Sequence, residues 1–168
     1  AFPSRVILDP VLGDNGKRYR GITEQHASAL SGLCKKADIL LPNVTEAAFL
    51  TGMPYRENPD MDYCNALLDA LDCKNVVLTG VSLSEETVGF VGRENGVVFS
   101  YQAPKSALQS HGTGDLFAAV FAGAITQGKP LQDAAKQAAA FVEKVLAEQK
   151  ETTPFGLSFE SHLSLLWE

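Results

Sequence analysis

Positive charge is in short supply in this chain of 168 residues: 14 Lys and Arg stand against 20 Asp and Glu, a formal balance of −6. Nonspecific nucleic-acid and anionic-membrane binding both need a basic face, so neither partner is expected. Cysteine is rarer still. Cys34, Cys64 and Cys73 are odd in number and include no Cys-x-x-Cys pair. That argues against a disulfide framework or a zinc site and reads as reduced thiols of a cytoplasmic protein. Long apolar runs are missing too; the longest, 116–125, falls far short of the ~20 residues a membrane helix needs. Residues 1–10 lack the basic start, apolar core and cleavage site of a signal peptide. Without internal repeats, low-complexity tracts or a convincing linker, a single domain over 1–168 is expected.

Apolar residues make up 45% of the sequence, enough for a buried core at this length. Their spacing alternates between two patterns. Short runs ending in polar residues, at 5–9, 38–43 and 75–80, suit buried strands of a parallel sheet. Between them lie helical patterns: 23–36 capped by Thr23, 46–51 capped by Thr45 and stopped by Gly52, and 59–71. Residues 87–91 and 97–101 flank Asn95-Gly96, a strong hairpin signal. A glycine-led helix to about Gln127, a helix over 131–150 after Pro130, and a last amphipathic helix over 159–167 complete the chain. Strands alternating with helices predict a three-layer α/β fold with a largely parallel central sheet.

In open α/β sheets, ligands collect outside the carboxyl ends of the strands. Asp9, Asn43 and Thr79 stand at those ends, and Glu46 enters the helix that follows Asn43. Each has an ordinary alternative, as a strand-ending turn residue or a partner of a helix dipole. Residues 11–21 form a glycine-punctuated loop that reads as a mobile flap; the spacing of Gly13, Gly16 and Lys17 is not that of a Walker A loop. Gly80-Val81-Ser82-Leu83-Ser84 lacks the second glycine of a hydrolase nucleophile elbow. Gly112-Thr113-Gly114-Asp115 leads into the apolar run 116–125. Glycines let the backbone turn sharply and approach a ligand, and the first amides of a helix attract an anion. The motif therefore reads as a phosphate cradle with an adjacent base, or as a plain helix start. His111 beside it reads as packing or a flanking contact.

Four motifs, in this order and spacing, resemble the pyridoxal kinases of the ribokinase-like superfamily. They are Asp9-Pro10-Val11-Leu12-Gly13-Asp14, Asn43-x-x-Glu46-Ala47-x-x-Leu50-Thr51-Gly52, Val77-Leu78-Thr79-Gly80, and Gly112-Thr113-Gly114-Asp115-Leu116-Phe117-Ala118. The resemblance covers nearly the whole chain and implies transfer of the ATP γ-phosphate to the 5′-hydroxymethyl group of pyridoxal, pyridoxine or pyridoxamine. It implies that Asp115 is the catalytic base and that Gly112, Thr113 and Gly114 form the anion hole. It places Asp9 near the phosphates and cation, gives Asn43 and Glu46 the ordering of Mg²⁺ and its waters, and gives Thr79 a nucleotide-phosphate contact. Residues 14–19, with Asp14, Lys17 and Tyr19, then form a flap over ATP and substrate. ATP and Mg²⁺ are the implied cofactors, with a monovalent cation left open; a B6 vitamer is the implied small-molecule partner, and a homodimer the implied state of the full-length protein. Members of the family extend further on the N-terminal side, so the chain is expected to be the C-terminal part of such a kinase and weakly active alone. Hydroxymethylpyrimidine (phosphate) kinases are similar in fold and chemistry but typically carry Cys where this chain has Asp115. A nucleotide-binding fragment without catalysis is the remaining reading.

Overall fold

Three polar-ended apolar runs become neighbours in one sheet. The computed structural model describes residues 5–106, 108, 110–149 and 156–167, and the chain divides into two units, Ala1–Ala103 and Pro104–Glu168. In the first unit, β1 (Ile7–Leu8) pairs in parallel with β4 (Ile39–Leu40), and β4 pairs in parallel with β5 (Asn75–Val81). Two further strands, β6 (Thr87–Glu94) and β7 (Val97–Pro104), extend the sheet in the order β1-β4-β5-β6-β7, and β6 runs antiparallel to β5. The expected parallel α/β sheet is thus present, with the hairpin added along one side.

Three helices accompany these strands: α1 (Glu24–Cys34), α2 (Val44–Thr51) and α3 (Met61–Ala70). Thr23 caps α1 as expected, accepting the His26 N–H, while the His26 ring returns to the Thr23 backbone at 3.2 Å. The apolar stripe of α3 buries Cys64, Leu67 and Leu68 in a core shared with Leu40, Val76, Leu78 and Val91. Cys34 and Cys64 are buried free thiols, as the sequence suggested, and burial pushes the Cys64 thiol up to about 11, so it stays protonated.

Sequence and structure part company in several places. The predicted loop over 11–21 contains an antiparallel hairpin, β2 (Gly13–Asp14) and β3 (Lys17–Arg18). Asn43, not Thr45, caps α2: its side chain accepts the Glu46 N–H, and Glu46 reaches back to the Asn43 N–H. The final segment is a 3₁₀ helix over Glu160–Leu166 where an amphipathic α-helix was expected. The helix predicted over 131–150 ends at Glu148, with Gln149 as its cap, and Lys150 lies outside the described residues.

The second unit is built on α4 (Thr113–Thr126) and α5 (Leu131–Glu148), joined across Gly128 at φ 85° and Pro130. Small residues on α5, Ala134, Ala135 and Ala138, are fully buried where α4 packs against α5. The 3₁₀ helix is tied to α5 where His162 Nε2 meets Glu148 Oε2 at 2.9 Å. Lys144 first, and His162 with it, holds the exposed Glu148 carboxyl below its ordinary value.

Close strand packing gives one test of the sheet. A Cβ on Gly89 in β6 would overlap the backbone carbonyl of Tyr101 in β7. Gly89→Ala is therefore expected to cost about 1–3 kcal/mol, read as a lower urea midpoint. An unchanged midpoint would mean that these strands separate freely.

Candidate functional site

The carboxyl edge of the first unit's sheet gathers the polar strand ends. Leu41 N donates to Leu8 O at 2.9 Å, which sets Asp9 next to the exit of β4. Asn43 then forms a parallel bridge with Thr79, and Thr79 N donates to Pro42 O at 2.9 Å. Asp9, Asn43 and Thr79 therefore follow one another along one edge. Gly80 adopts φ 64° directly after Thr79, where the β5–β6 register shifts, so the strand bulges at this edge.

Glu46 is the most perturbed group there. It is only 3% exposed, and both carboxylate oxygens accept backbone N–H groups: Oε1 from Leu12 at 3.0 Å and Oε2 from Asn43 at 2.8 Å. Burial pushes its carboxyl up to about 7 against the pull of those amides, and the charge of Asp9 raises it further. Asn43 Nδ2 donates to Gly13 O at 2.9 Å, and Gly16 N donates to Thr45 Oγ1 at 3.0 Å. The first turn of α2 thus holds the β2–β3 hairpin by its main chain. On the hairpin, Asp14, Lys17 and Tyr19 are exposed, while Arg18 lies over the Phe49 ring and pairs with Glu24 at 2.5 Å.

Among the described residues, no three His, Cys, Asp or Glu side chains form a ready cage. Magnesium does not require one, because it uses one or two carboxylates and keeps several waters. Asp9 and Glu46 are the acids at this edge; with both Glu46 oxygens accepting backbone N–H groups, they suit a hard cation that keeps its waters between itself and the carboxylates.

In the second unit, Gly112 is the N-cap of α4, with φ 86° and ψ 5°, a left-handed conformation that favours glycine. Glycine at the N-cap has no side chain to cap the helix, and Asp115 is its third residue. A Cβ at Gly112 or Gly114 would meet nothing within 4 Å, so the space in front of both is open. The first amides of the helix have no intrahelical partners, and Gly112 and the exposed Asp115 both line an accessible concavity. A cavity of about 470 Å³ runs from Gly112 and Asp115 along α4 past Val120 to Gln127, walled by Phe141, Phe159 and Trp167. His111 lines its mouth, and its carbonyl lies near Gly156, consistent with a packing or flanking place.

Two features escaped the sequence reading. Thr45 and Tyr55 hold the hairpin tip, and only a tertiary contact reveals them. The Asn43–Glu46 capping box was legible, since Asn followed three residues later by Glu is a helix-start pattern.

Residues 2–157 match the sequence profile of a family described as phosphomethylpyrimidine kinase. The chain belongs to that family. The hydroxymethylpyrimidine/phosphomethylpyrimidine kinase of Haemophilus influenzae is 32% identical over 148 residues, 84% of this chain and 55% of the relative. Among solved structures, Lactobacillus plantarum pyridoxal kinase is 32% identical with a TM-score of 0.84, covering 97% of this chain and 61% of its own. A Bacteroides thetaiotaomicron protein classed with the phosphomethylpyrimidine kinases and solved with pyridoxal is 26% identical with a TM-score of 0.87, covering 98% of this chain and 61% of its own. The family member described here thus spans between half and two thirds of each relative's length. Its mixed α/β fold, with a central sheet flanked by helices, is the one shared with these pyridoxal-kinase-like proteins of the ribokinase-like superfamily. No described helix is long and apolar enough to cross a membrane.

Proposed function

We propose that the whole protein is an ATP-dependent kinase that phosphorylates a hydroxymethyl group on a heteroaromatic ring. The observation that carries this reading is the N-terminus of α4: led by Gly112, without a side-chain cap, open over both glycines, and followed by Asp115. Phosphoryl transfer is catalysed mainly by positioning and by donors fixed where charge develops. The backbone at Gly112, Thr113 and Gly114 supplies such donors.

Asp115 takes the proton of the substrate hydroxyl as that oxygen bonds to the γ-phosphorus. The bond from the γ-phosphorus to the bridging oxygen breaks, and the electron pair leaves with ADP. Asp9 and Glu46 would hold Mg²⁺ through its waters, with Asn43 ordering that shell. When bound, the cation offsets phosphate charge. Thr79 contacts the nucleotide phosphates, and Asp14, Lys17 and Tyr19 cover the nucleotide from the hairpin. A cytoplasmic homodimer belongs to the same reading.

For the acceptor, the Asp115 carboxylate and the similarity to L. plantarum pyridoxal kinase favour a B6 vitamer. A second reading, hydroxymethylpyrimidine or its phosphate, is favoured by the family profile and the H. influenzae relative. The test is a panel of pyridoxal, pyridoxine, pyridoxamine and hydroxymethylpyrimidine with Mg²⁺-ATP and the protein expressed from its complete reading frame. A kcat/KM for a B6 vitamer at least about tenfold above hydroxymethylpyrimidine is expected. The reverse order moves the assignment to the second reading, and no turnover of any acceptor overturns the kinase reading. The 168-residue chain alone is expected to turn over little in the same assay.

A further inference from the structure

The tip of the β2–β3 hairpin is fastened from outside the hairpin. Asn15 and Gly16 at its turn both have positive φ, 51° and 72°, the geometry of a tight two-residue turn. In such a turn the N–H of the second residue has no partner in the hairpin's own ladder. Here Thr45 Oγ1 accepts it at 3.0 Å from a side chain that is 2% exposed. The Tyr55 ring lies against the same glycine: a Cβ on Gly16 would stand 2.6 Å from Tyr55 Cδ1. The Thr45 side chain also acts on the Tyr55 hydroxyl, working against the burial that raises its pKa. Helix capping does not explain Thr45, because Asn43 and Glu46 form the cap of α2 between themselves. A buried hydroxyl is retained where it has a partner, and the partner of this one is the hairpin tip.

We propose that Thr45 and Tyr55 are positioning residues that latch the hairpin tip onto α2, and that this latch sets nucleotide affinity by fixing where Asp14 and Lys17 project. The second half rests on the kinase reading above; the first does not. Glu46 and Asn43 hold the base of the hairpin at Leu12 and Gly13, whereas Thr45 and Tyr55 hold its end. A hairpin with two-residue strands has too few internal bonds to hold its own shape, so losing the tip contact frees the tip while the base remains attached.

The variants are Thr45→Val, which keeps the side-chain shape without the hydroxyl, Thr45→Ser, which restores the hydroxyl, and Tyr55→Phe. All are made in the protein expressed from its complete reading frame. Amide hydrogen exchange over 13–18 and the KM for ATP against kcat are measured together. Thr45→Val is expected to speed exchange at the Gly16 amide about tenfold or more without changing exchange in β5. It should also raise the KM for ATP several-fold with kcat nearly unchanged. Thr45→Ser should bring both back, and Tyr55→Phe should fall between. Unchanged exchange at Gly16 in Thr45→Val overturns the latch. Faster exchange with an unchanged KM for ATP overturns its role in nucleotide affinity. If the wild-type protein transfers no phosphate, the kinase reading falls and ATP affinity measured by calorimetry replaces KM; absence of ATP binding then overturns the affinity role, while exchange still decides the latch.

Discussion

Asp115→Asn is expected to lower kcat by about 10²-fold or more while ATP binding persists. Asparagine keeps the size and shape of the side chain but cannot accept the proton of an attacking hydroxyl at neutral pH. The helix should survive the change, because Gly112, and not Asp115, occupies the N-cap. An acid in the first turn of α4 contributes only about 0.3–1 kcal/mol through the helix dipole, so any loss of stability should stay within that range. Steady-state kinetics, ATP titration and thermal unfolding on one preparation separate the roles. A kcat near that of the wild type, with a small drop in Tm, would leave Asp115 a dipole partner and remove it from the chemistry.

Glu46 gives the second large effect, and it is read as a pH profile. Its carboxyl titrates near 7 in the folded protein and near 4.5 when unfolded, chiefly because it is buried. The folded state therefore keeps a proton that the unfolded state releases across this interval. The stability this group contributes is fully present below about pH 4.5 and is lost as the pH rises to about 7, a difference of about 3 kcal/mol. Glu46→Gln removes the titration. It also leaves one of the two N–H donors, Leu12 or Asn43, facing an NH₂ group instead of an oxygen. The variant should consequently be less stable than the wild type at pH 4.5, with the gap narrowing by about 3 kcal/mol toward pH 8. Urea unfolding at several pH values measures it. Parallel profiles for wild type and variant would show that Glu46 keeps an ordinary carboxylate pKa.

What the sequence made legible was what is decided locally. Thr23 and Gly52 punctuate helices through bonds and dihedral angles within a few residues, and Asn95-Gly96 turns its hairpin for the same reason. Asp9 and Asn43 at strand ends, and Thr79 near the end of β5, were readable because each short apolar run stops at a polar residue, and the topology then set them along one edge. Asn15-Gly16 is the same turn dipeptide as Asn95-Gly96, yet its flanks are only two residues long and include Asp14, Lys17 and Arg18. It forms a hairpin because the first turn of α2 holds it, which no local pattern reveals. Thr45 is not the cap for a related reason: two polar residues separated only by Val44 could cap α2, and the choice fell to Asn43 through its pairing with Glu46. The Asn43–Glu46 pair, expected to face a cleft, spends its side-chain hydrogen bonds on backbone groups. Its part in metal binding has to coexist with that structural duty.

Folding meets the sheet of the first unit from its antiparallel end. β5, β6 and β7 succeed one another along the chain and pair as neighbours, so their contacts close small loops and form early. The pairings Ile7↔Ile39 and Leu40↔Val76 each enclose a helix or more and must wait for larger loops to close. β1 and β4 are also only two residues long, so each adds few bonds once it arrives. On loop-closure grounds the pairing of β1 with β4, which brings Asp9 and Asn43 into line, is expected to form after the β5–β6–β7 meander.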